Sequence, residues 1–357
     1  MPTIPIDQQG HVLYYEETGP PAVSRQPYST LIVVHGTGFH SGDYRTSAVF
    51  KRLFPLAGKY NVRLVLVNRR EYPGSSPFTD EDLDKLRSGD DTAHVEFAKE
   101  RAKEIATFIK AFIDQEEVPR ADPDGKSGGV ALMGWSSGAS QTIALLGDAD
   151  SLPEALRKSI EPYLRSYIIF DVARSIHGLP AMGNTKSLLQ DLTLTQEERA
   201  ARFYKFTAAY YIHDSVTSGN EDDLQKIPGP DNPMPTTERM SEDKLKDVTY
   251  MNAIERSEVG MRTASPEVLA DRVRKSLYDD EMARYFPNCR VDIIYGECSP
   301  WTIVDGAWKF RELRKNADEE GINGRPLRFF MFPRANHFAH WDMPEETMRF
   351  FAEIMMS

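Results

Sequence analysis

Residues far apart in this chain could together perform nucleophilic chemistry on a carbonyl. The pentapeptide "GWSSG", Gly134 to Gly138, places Ser136 at the centre of a G-x-S-x-G pattern. The context gives the pattern its meaning: the apolar run "GGVALMGW" ends at Trp135, and "SSGASQTIALLG" then reads as a helix with a small-residue first turn. Glycines on both sides permit a tight strand-to-helix turn that lifts the serine hydroxyl over the carboxyl end of a sheet. A helix N-terminus beneath it favours the negative charge that develops during attack. Ser137 is the competing hydroxyl; it lacks the central position, and its backbone N–H is better suited to stabilising an oxyanion. A second donor is expected from "HGTGFHSG" (His35 to Gly42), the turn after the run "LIVV", with Thr37 N–H as the candidate. Within this turn His35 reads as structural, and His40 as more open and lining a substrate cavity.

A serine hydroxyl needs a general base, and the base needs an acid that holds its tautomer and stabilises the imidazolium. Among the 8 histidines, His337 in "PRANHFAHWDMPEE" is placed best, after the last apolar strand and before the final helix. His340 in the same segment is the alternative base.

The elements that must position these groups alternate in type. Short β-branched runs within Ser29–Gly38 and Val62–Ser76, each ending in a turn, and at Gly128–Trp135, Arg165–Ala173, Arg290–Gly296 and Pro326–Phe332 predict buried strands. Between them, Val95, Ala98, Ala102, Ile105, Ile109, Phe112 and Ile113 recur at helical spacing and predict an amphipathic helix over 92–118. Further helices are expected at 47–58, 305–318 and 344–355. Strands buried on both faces and alternating with helices indicate a mostly parallel sheet in an α/β protein. His11–Gly19 is expected to be an antiparallel edge strand.

From Arg174 to Pro287 the alternation stops. Helical stretches, notably 195–214 and 265–286, are joined by the proline-rich "KIPGPDNPMPTTER", and the segment is far too long for a loop. The expected organisation is a core of 1–173 and 288–357 with a helical cap of 174–287. The cap aromatics Phe203, Tyr204, Phe206, Tyr210 and Tyr211 are expected to pack cap against core, with some facing an acyl pocket. Phe39, His40, Trp135 and Trp301 are the candidate substrate-binding residues.

Composition narrows the partners. A net charge of −11 does not suit a nucleic-acid binder, which needs basic surface to displace counterions, nor an anionic membrane surface. The adjacent arginines of "VNRREY" (Val67 to Tyr72) read as a solvated or paired turn. No stretch is long and apolar enough for membrane insertion. With only 2 cysteines, Cys289 and Cys298, neither a disulfide framework nor a structural zinc is expected. A soluble, cytoplasmic protein without metal or organic cofactor is the expectation; oligomeric state is not legible.

Together, "HGTG", "NRREYPGSSP" in place of a turn with Asp-x-Arg-Gly-x-Gly-x-Ser, "GWSSG" and "NHFAHWDMPEE" resemble the α/β-hydrolase superfamily of lipases, esterases and epoxide-hydrolase-like enzymes over nearly the full chain. The resemblance implies an eight-stranded, mostly parallel sheet, a cap inserted after the sixth strand, and acyl or related hydrolysis by a serine triad. Glu71 and Tyr72 depart from the small residues of the family turn, which gives that turn its own geometry. In many members the acid follows the seventh strand, where this chain reads "RVDIIYGECSPW" and offers Ser299. Glu297 is the carboxylate there, immediately beside Gly296. A subset of the superfamily takes its acid from the end of the sixth strand, and "YIIFD" puts Asp171 at that place. Asp171 is therefore the expected acid and Glu297 the alternative. The implied reaction is cleavage of a moderately large hydrophobic ester, lactone or thioester through an acyl-enzyme. C–C bond hydrolysis of an activated diketone by the same triad is the nearest rival, and a non-catalytic ligand-binding protein on the same fold is another. Dehalogenase and epoxide-hydrolase chemistry is disfavoured, because those relatives use an aspartate where this chain has Ser136.

Overall fold

The computed structural model describes residues 2–22, 27–42, 48–179, 188–191 and 193–357. Their β-branched runs form an eight-stranded sheet: β1 (Thr3–Pro5), β2 (Val12–Glu17), β3 (Ser29–Val34), β4 (Val62–Val67), β5 (Val130–Trp135), β6 (Leu164–Phe170), β7 (Arg290–Gly296) and β8 (Leu327–Phe332). The spatial order is β1-β2-β4-β3-β5-β6-β7-β8. From β3 onward every pairing is parallel, whereas β2 runs antiparallel to both β1 and β4. β2 was expected at the edge; the edge is instead β1, whose three residues are too few to show a period.

Successive side chains on a strand point to opposite faces, and the core divides accordingly. Ile32, Val34, Val65, Val67, Leu132 and Ile169 join one apolar cluster. Leu31, Val33, Leu64, Leu66, Met133 and Ile168 join the other. The helix Asp91–Glu116 covers the first face with Ala98, Ala102, Ile105, Ile109 and Phe112. It starts where Asp90 accepts the Thr92 N–H at 3.0 Å and stops at Glu117, which turns to φ 47°. The final helix, Pro344–Met356, covers the second face with Met348, Phe351, Ala352 and Met355.

Between β6 and β7 the described residues form helices and turns and no strand. The helix Gln196–Ala208 begins with a reciprocal cap, Thr195 Oγ1 accepting the Glu198 N–H at 3.2 Å and Glu198 accepting the Thr195 N–H at 2.8 Å. A short π-helix spans Ile254–Glu258. Residues 180–187 and 192 of the expected cap lie outside the described residues. The packing also departs from the expected boundary at 287. Val273, Leu277, Tyr278 and Phe286 belong to the apolar cluster of the sheet, so the stretch after Ser265 covers the core rather than the site. Its amphipathic period was legible; the surface that the stripe meets was not.

The pairing registers align the strand ends. Val34 lies beside Gly134, Trp135 beside Phe170, Phe170 beside Ile294, and Gly296 beside Phe332. The turns after β3, β5, β6, β7 and β8 therefore emerge at one edge of the sheet.

Candidate active site

Ser136 sits on the crest of the turn after β5 at φ 53°, the left-handed conformation that a serine adopts only where its surroundings enforce it. Its flanking glycines are sterically required. A Cβ on Gly134 would lie 2.5 Å from Ala139 Cα, and one on Gly138 would lie 2.4 Å from the Val34 carbonyl oxygen. The helix Gly138–Thr142 thus presses directly on the sheet and forces the turn.

The strand ends bring the expected acid and base together. Asp171, fully buried at the end of β6 with φ 55°, accepts a hydrogen bond at 2.6 Å through Oδ2 from His337 Nδ1. Its Oδ1 accepts the Gly296 N–H at 2.7 Å, and Ser299 Oγ lies 2.8 Å from each carboxylate oxygen. With Nδ1 so engaged, His337 presents Nε2 as the free ring nitrogen, the tautomer a general base requires. Glu297 is not in this cluster: its Oε2 accepts the Arg334 N–H at 2.7 Å on the outside of the turn. That residue follows Gly296 too closely for its side chain to reach inward.

His340, the alternative base, packs against an aromatic ring. It stacks on Phe50 at 3.7 Å between ring centres, and neither ring nitrogen has a hydrogen-bond partner among the described residues. Burial, then the neighbouring His337, hold its pKa well below the usual histidine range, so it is a neutral packing group. Among the described residues no hydrogen bond joins Ser136 Oγ to His337. Gly36 packs against the serine: an added Cβ there would come within 2.8 Å of Ser136 Cβ and 3.3 Å of Oγ.

Thr37 and Ser137 flank the nucleophile, and among the described residues neither backbone N–H has an acceptor. Their hydroxyls meet at 2.7 Å. Thr37 Oγ1 also reaches Glu258 Oε2 at 2.8 Å and receives Arg262 Nη2 at 3.1 Å. Glu258 Oε1 accepts from Tyr72 OH at 2.6 Å and pairs with Arg69. Burial alone would raise the Glu258 carboxyl, but Arg69, Tyr72, Arg262 and Thr37 outweigh it and hold its pKa below the usual range. Burial, then Glu258, keep the Tyr72 phenol well above its own. The arginines of "VNRREY" are both buried and paired, Arg70 with Asp82 at 3.2 Å and Glu104 at 3.1 Å. They form no basic surface patch. Glu71 takes a left-handed backbone conformation, at φ 75°, and is anchored by Arg256 at 2.8 Å.

The residues expected to touch substrate are packed instead. Trp135, 1% exposed, stacks on His337 at 4.8 Å and donates Nε1–H to the His337 carbonyl at 3.2 Å. Phe39 lies among Trp135, Tyr204 and Phe338. His40 is buried rather than open, and its Nδ1 accepts the Gly42 N–H at 2.9 Å. Trp301 joins Tyr211, Tyr295 and Val304 in a separate apolar cluster. A pocket of about 500 Å³ lies elsewhere, in the segment between β6 and β7, lined by Ala200, Ala201, Tyr204, Leu245 and Met251 together with charged residues. Tyr204 connects it to the site, since its hydroxyl is 2.9 Å from where a Cβ on Gly38 would be. Among the described residues no helix is long and apolar enough to cross a membrane, and no group of three or more His, Cys, Asp or Glu could hold a metal ion.

Sequence reasoning missed Ser299 as the acid's partner and the whole Glu258 network. Ser299 was visible as a polar residue in the right turn. Nothing local in "NAIERSEVG" marks Glu258 as buried.

Comparison with solved structures finds the same fold at low identity. An esterase from Exiguobacterium antarcticum matches with a TM-score of 0.53 and 15% identity, covering 100% of both chains. A proline iminopeptidase from Mycobacterium smegmatis matches at 0.53 and 14%, covering 99% of this chain and 97% of its own. A putative aryl esterase from Burkholderia cenocepacia matches at 0.51 and 12%, covering 97% and 95%. No curated protein matches the sequence. The model of the alpha/beta hydrolase family matches residues 31–350, and with the strand order and the turn at Ser136 this establishes that the chain belongs to that family.

Proposed function

We propose that this chain is a serine hydrolase that cleaves an ester, lactone or thioester of a moderately large hydrophobic small molecule through an acyl-enzyme on Ser136. The observation that carries the reading is the buried 2.6 Å bond from His337 Nδ1 to Asp171, at the sheet edge where Ser136 is held at φ 53°. His337 Nε2 takes the hydroxyl proton as Ser136 attacks the carbonyl carbon. The N–H groups of Thr37 and Ser137 receive the oxyanion. As the tetrahedral intermediate collapses, His337 gives the proton to the leaving alkoxide or thiolate. Water then attacks the acyl-enzyme with His337 as base, releasing the acid and restoring the serine. Throughout, Asp171 stabilises the imidazolium without accepting its proton.

A segment such as that between β6 and β7, with a partly apolar pocket beside Tyr204, suits a substrate with a hydrophobic body. Esterases of the same fold support the acyl-cleaving reading by analogy. An intracellular, reducing location accords with the two free cysteines, Cys289 and Cys298.

The test is labelling by a fluorophosphonate probe, followed by turnover on a panel of esters, lactones and thioesters with product mass spectrometry. Ser136 should carry the label, and Ser136→Ala should abolish both label and turnover. Wild-type protein that neither labels nor turns over any member of the panel would defeat the proposal, and cleavage of an activated diketone alone would transfer it to C–C hydrolysis.

A further inference from the structure

We propose that Glu258, on the segment inserted between β6 and β7, is a positioning residue that fixes the orientation of the oxyanion-hole N–H groups. The inference rests on the reading of Ser136 as nucleophile and adds a control on it that lies outside the triad.

The direction of each hydrogen bond follows from chemistry. An ionised carboxylate only accepts, so the single Thr37 hydroxyl proton goes to Glu258 Oε2 at 2.8 Å. Thr37 Oγ1 is then the acceptor for Ser137 Oγ at 2.7 Å and for Arg262 Nη2 at 3.1 Å. Ser137 stands at the N-cap of its helix yet makes no side-chain cap bond, so its hydroxyl is committed to Thr37 instead. The two residues whose backbone N–H groups flank Ser136 are thus tied to each other and to Glu258.

The other oxygen of Glu258 works on the backbone itself. Glu258 Oε1 pairs with Arg69, and Arg69 Nη2 donates to the Gly36 carbonyl at 2.9 Å. That carbonyl belongs to the same peptide group as the Thr37 N–H. A trans peptide is planar, so holding the oxygen on one side aims the N–H to the other. Tyr72 OH, which donates to Glu258 Oε1 at 2.6 Å, accepts the next N–H in the chain, that of Gly38, at 2.9 Å. Turning the Gly36–Thr37 peptide over would break the bond from Arg69.

Glu258 reaches this position because Ile254–Glu258 is a π-helix, a wider turn that places Ile254, Ser257 and Glu258 inward. The same segment joins the loop through its backbone: Tyr250 N–H donates to the Gly38 carbonyl at 2.8 Å, and His40 N–H to that of Val248 at 3.2 Å. Seating of the inserted segment and alignment of the hole are consequently one structural state.

Glu258→Gln keeps the shape and removes the charge that holds Arg69. It should lower kcat by about 10–100-fold with KM changed less than about 3-fold, since a misaimed donor costs less than a deleted one. The affinity of a boronic acid, which forms a tetrahedral adduct on the serine, should fall in parallel with kcat/KM. Thr37→Val retains the backbone N–H and removes the hydroxyl link, and should cause a similar loss. The double variant should be no worse than the poorer single one, because both cut one chain of contacts. Folded Thr37→Val with full kcat, losses that multiply in the double variant, or a Glu258→Gln enzyme whose boronic acid affinity is unchanged would each overturn the proposal. Thr37→Val also decides the matter if Glu258→Gln does not fold. A wild-type enzyme labelled at Ser136 together with any of these results removes the clamp and leaves the hydrolase reading intact; absence of labelling removes both.

Discussion

Ser299 Oγ, in the turn after β7, lies 2.8 Å from both carboxylate oxygens of Asp171, at the end of β6. The place where many family members carry their acid is therefore occupied by a hydroxyl that serves the carboxylate of the neighbouring strand. Asp171→Asn should lower kcat by about 10³–10⁴-fold, as when a triad acid loses its charge, while Glu297→Gln should stay near wild type. Adding Ser299→Asp to the Asp171→Asn variant places a carboxylate beside the vacated one and should restore part of the loss. Steady-state kinetics on whichever substrate the panel identifies checks all three; retention of full turnover by Asp171→Asn would reject the assignment.

Removing the hydroxyl alone is a milder change. Ser299→Ala deletes a buried donor to a charged acceptor, a bond of about 1.5–3 kcal/mol, and leaves Asp171 its bonds from His337 and Gly296. Thermal or urea unfolding should show a stability loss in that range, and labelling of Ser136 should continue at a reduced rate.

His337 and His340 separate by their surroundings. His337→Ala should abolish fluorophosphonate labelling. His340→Leu loses a stack on Phe50 but no hydrogen bond, so labelling should persist in a less stable protein. Labelling rates of the two variants, with unfolding midpoints, give the comparison. Equal loss of labelling in both, at normal stability, would reopen the choice of base.

Gly36 offers a steric test of the nucleophile. Its Cβ in Gly36→Ala would sit 2.8 Å from Ser136 Cβ, closer than such atoms approach, and 3.3 Å from Oγ. The variant should fold with an altered Ser136 environment and lose most of its labelling rate. Unchanged kinetics would mean that the hydroxyl works from some other position.

Acid stability should depend on buried neutral histidines. Burial pushes His177 down to about 3, and His35 and His340 are also held well below the usual range by burial, helped by Arg69 and His337 respectively. In the unfolded chain each takes up a proton near its ordinary pKa of about 6.5, so the unfolded state binds more protons as pH falls below that value. Their contribution is present in full above about pH 6.5 and is lost on acidification, at up to ~1.4 kcal/mol per pH unit for each. For His177 the loss continues down to its folded pKa of about 3. Unfolding free energies measured from pH 7 to pH 4 should fall less steeply in His177→Leu, whose side chain in the wild type contacts Phe310 and makes no hydrogen bond among the described residues. A parallel pH dependence in both proteins would refute this assignment.

The chain's local pattern was enough for the sheet and for the turn that carries Ser136. Near-continuous apolar runs such as "LIVV" and "VRLVLV" are explicit in sequence because both faces of the strand are buried, alternate residues meeting two different apolar clusters. The turn at Ser136 is equally local: "GWSSG" carries its own glycines, and the close approach of Ala139 and Val34 explains why they are needed. His337 was legible from its place after the last strand. The order of side chains along one segment encodes all of these.

Tertiary structure alone decided what depends on which segments meet. The choice of Asp171 over Glu297 turns on parallel register, which sets the end of β6 against the turn after β7. Glu258 and Arg69 lie on different elements, and only packing brings them together and removes water, so neither shows in sequence as more than a surface charge. Phe39, His40, Trp135 and Trp301 have types that suit either a pocket wall or a core, and only the packed chain shows that all four are buried. The sequence by itself determined where the chemistry could start; the packed fold determined which carboxylate bonds His337 and which charges hold the loops around Ser136, because those are contacts between segments that no local periodicity records.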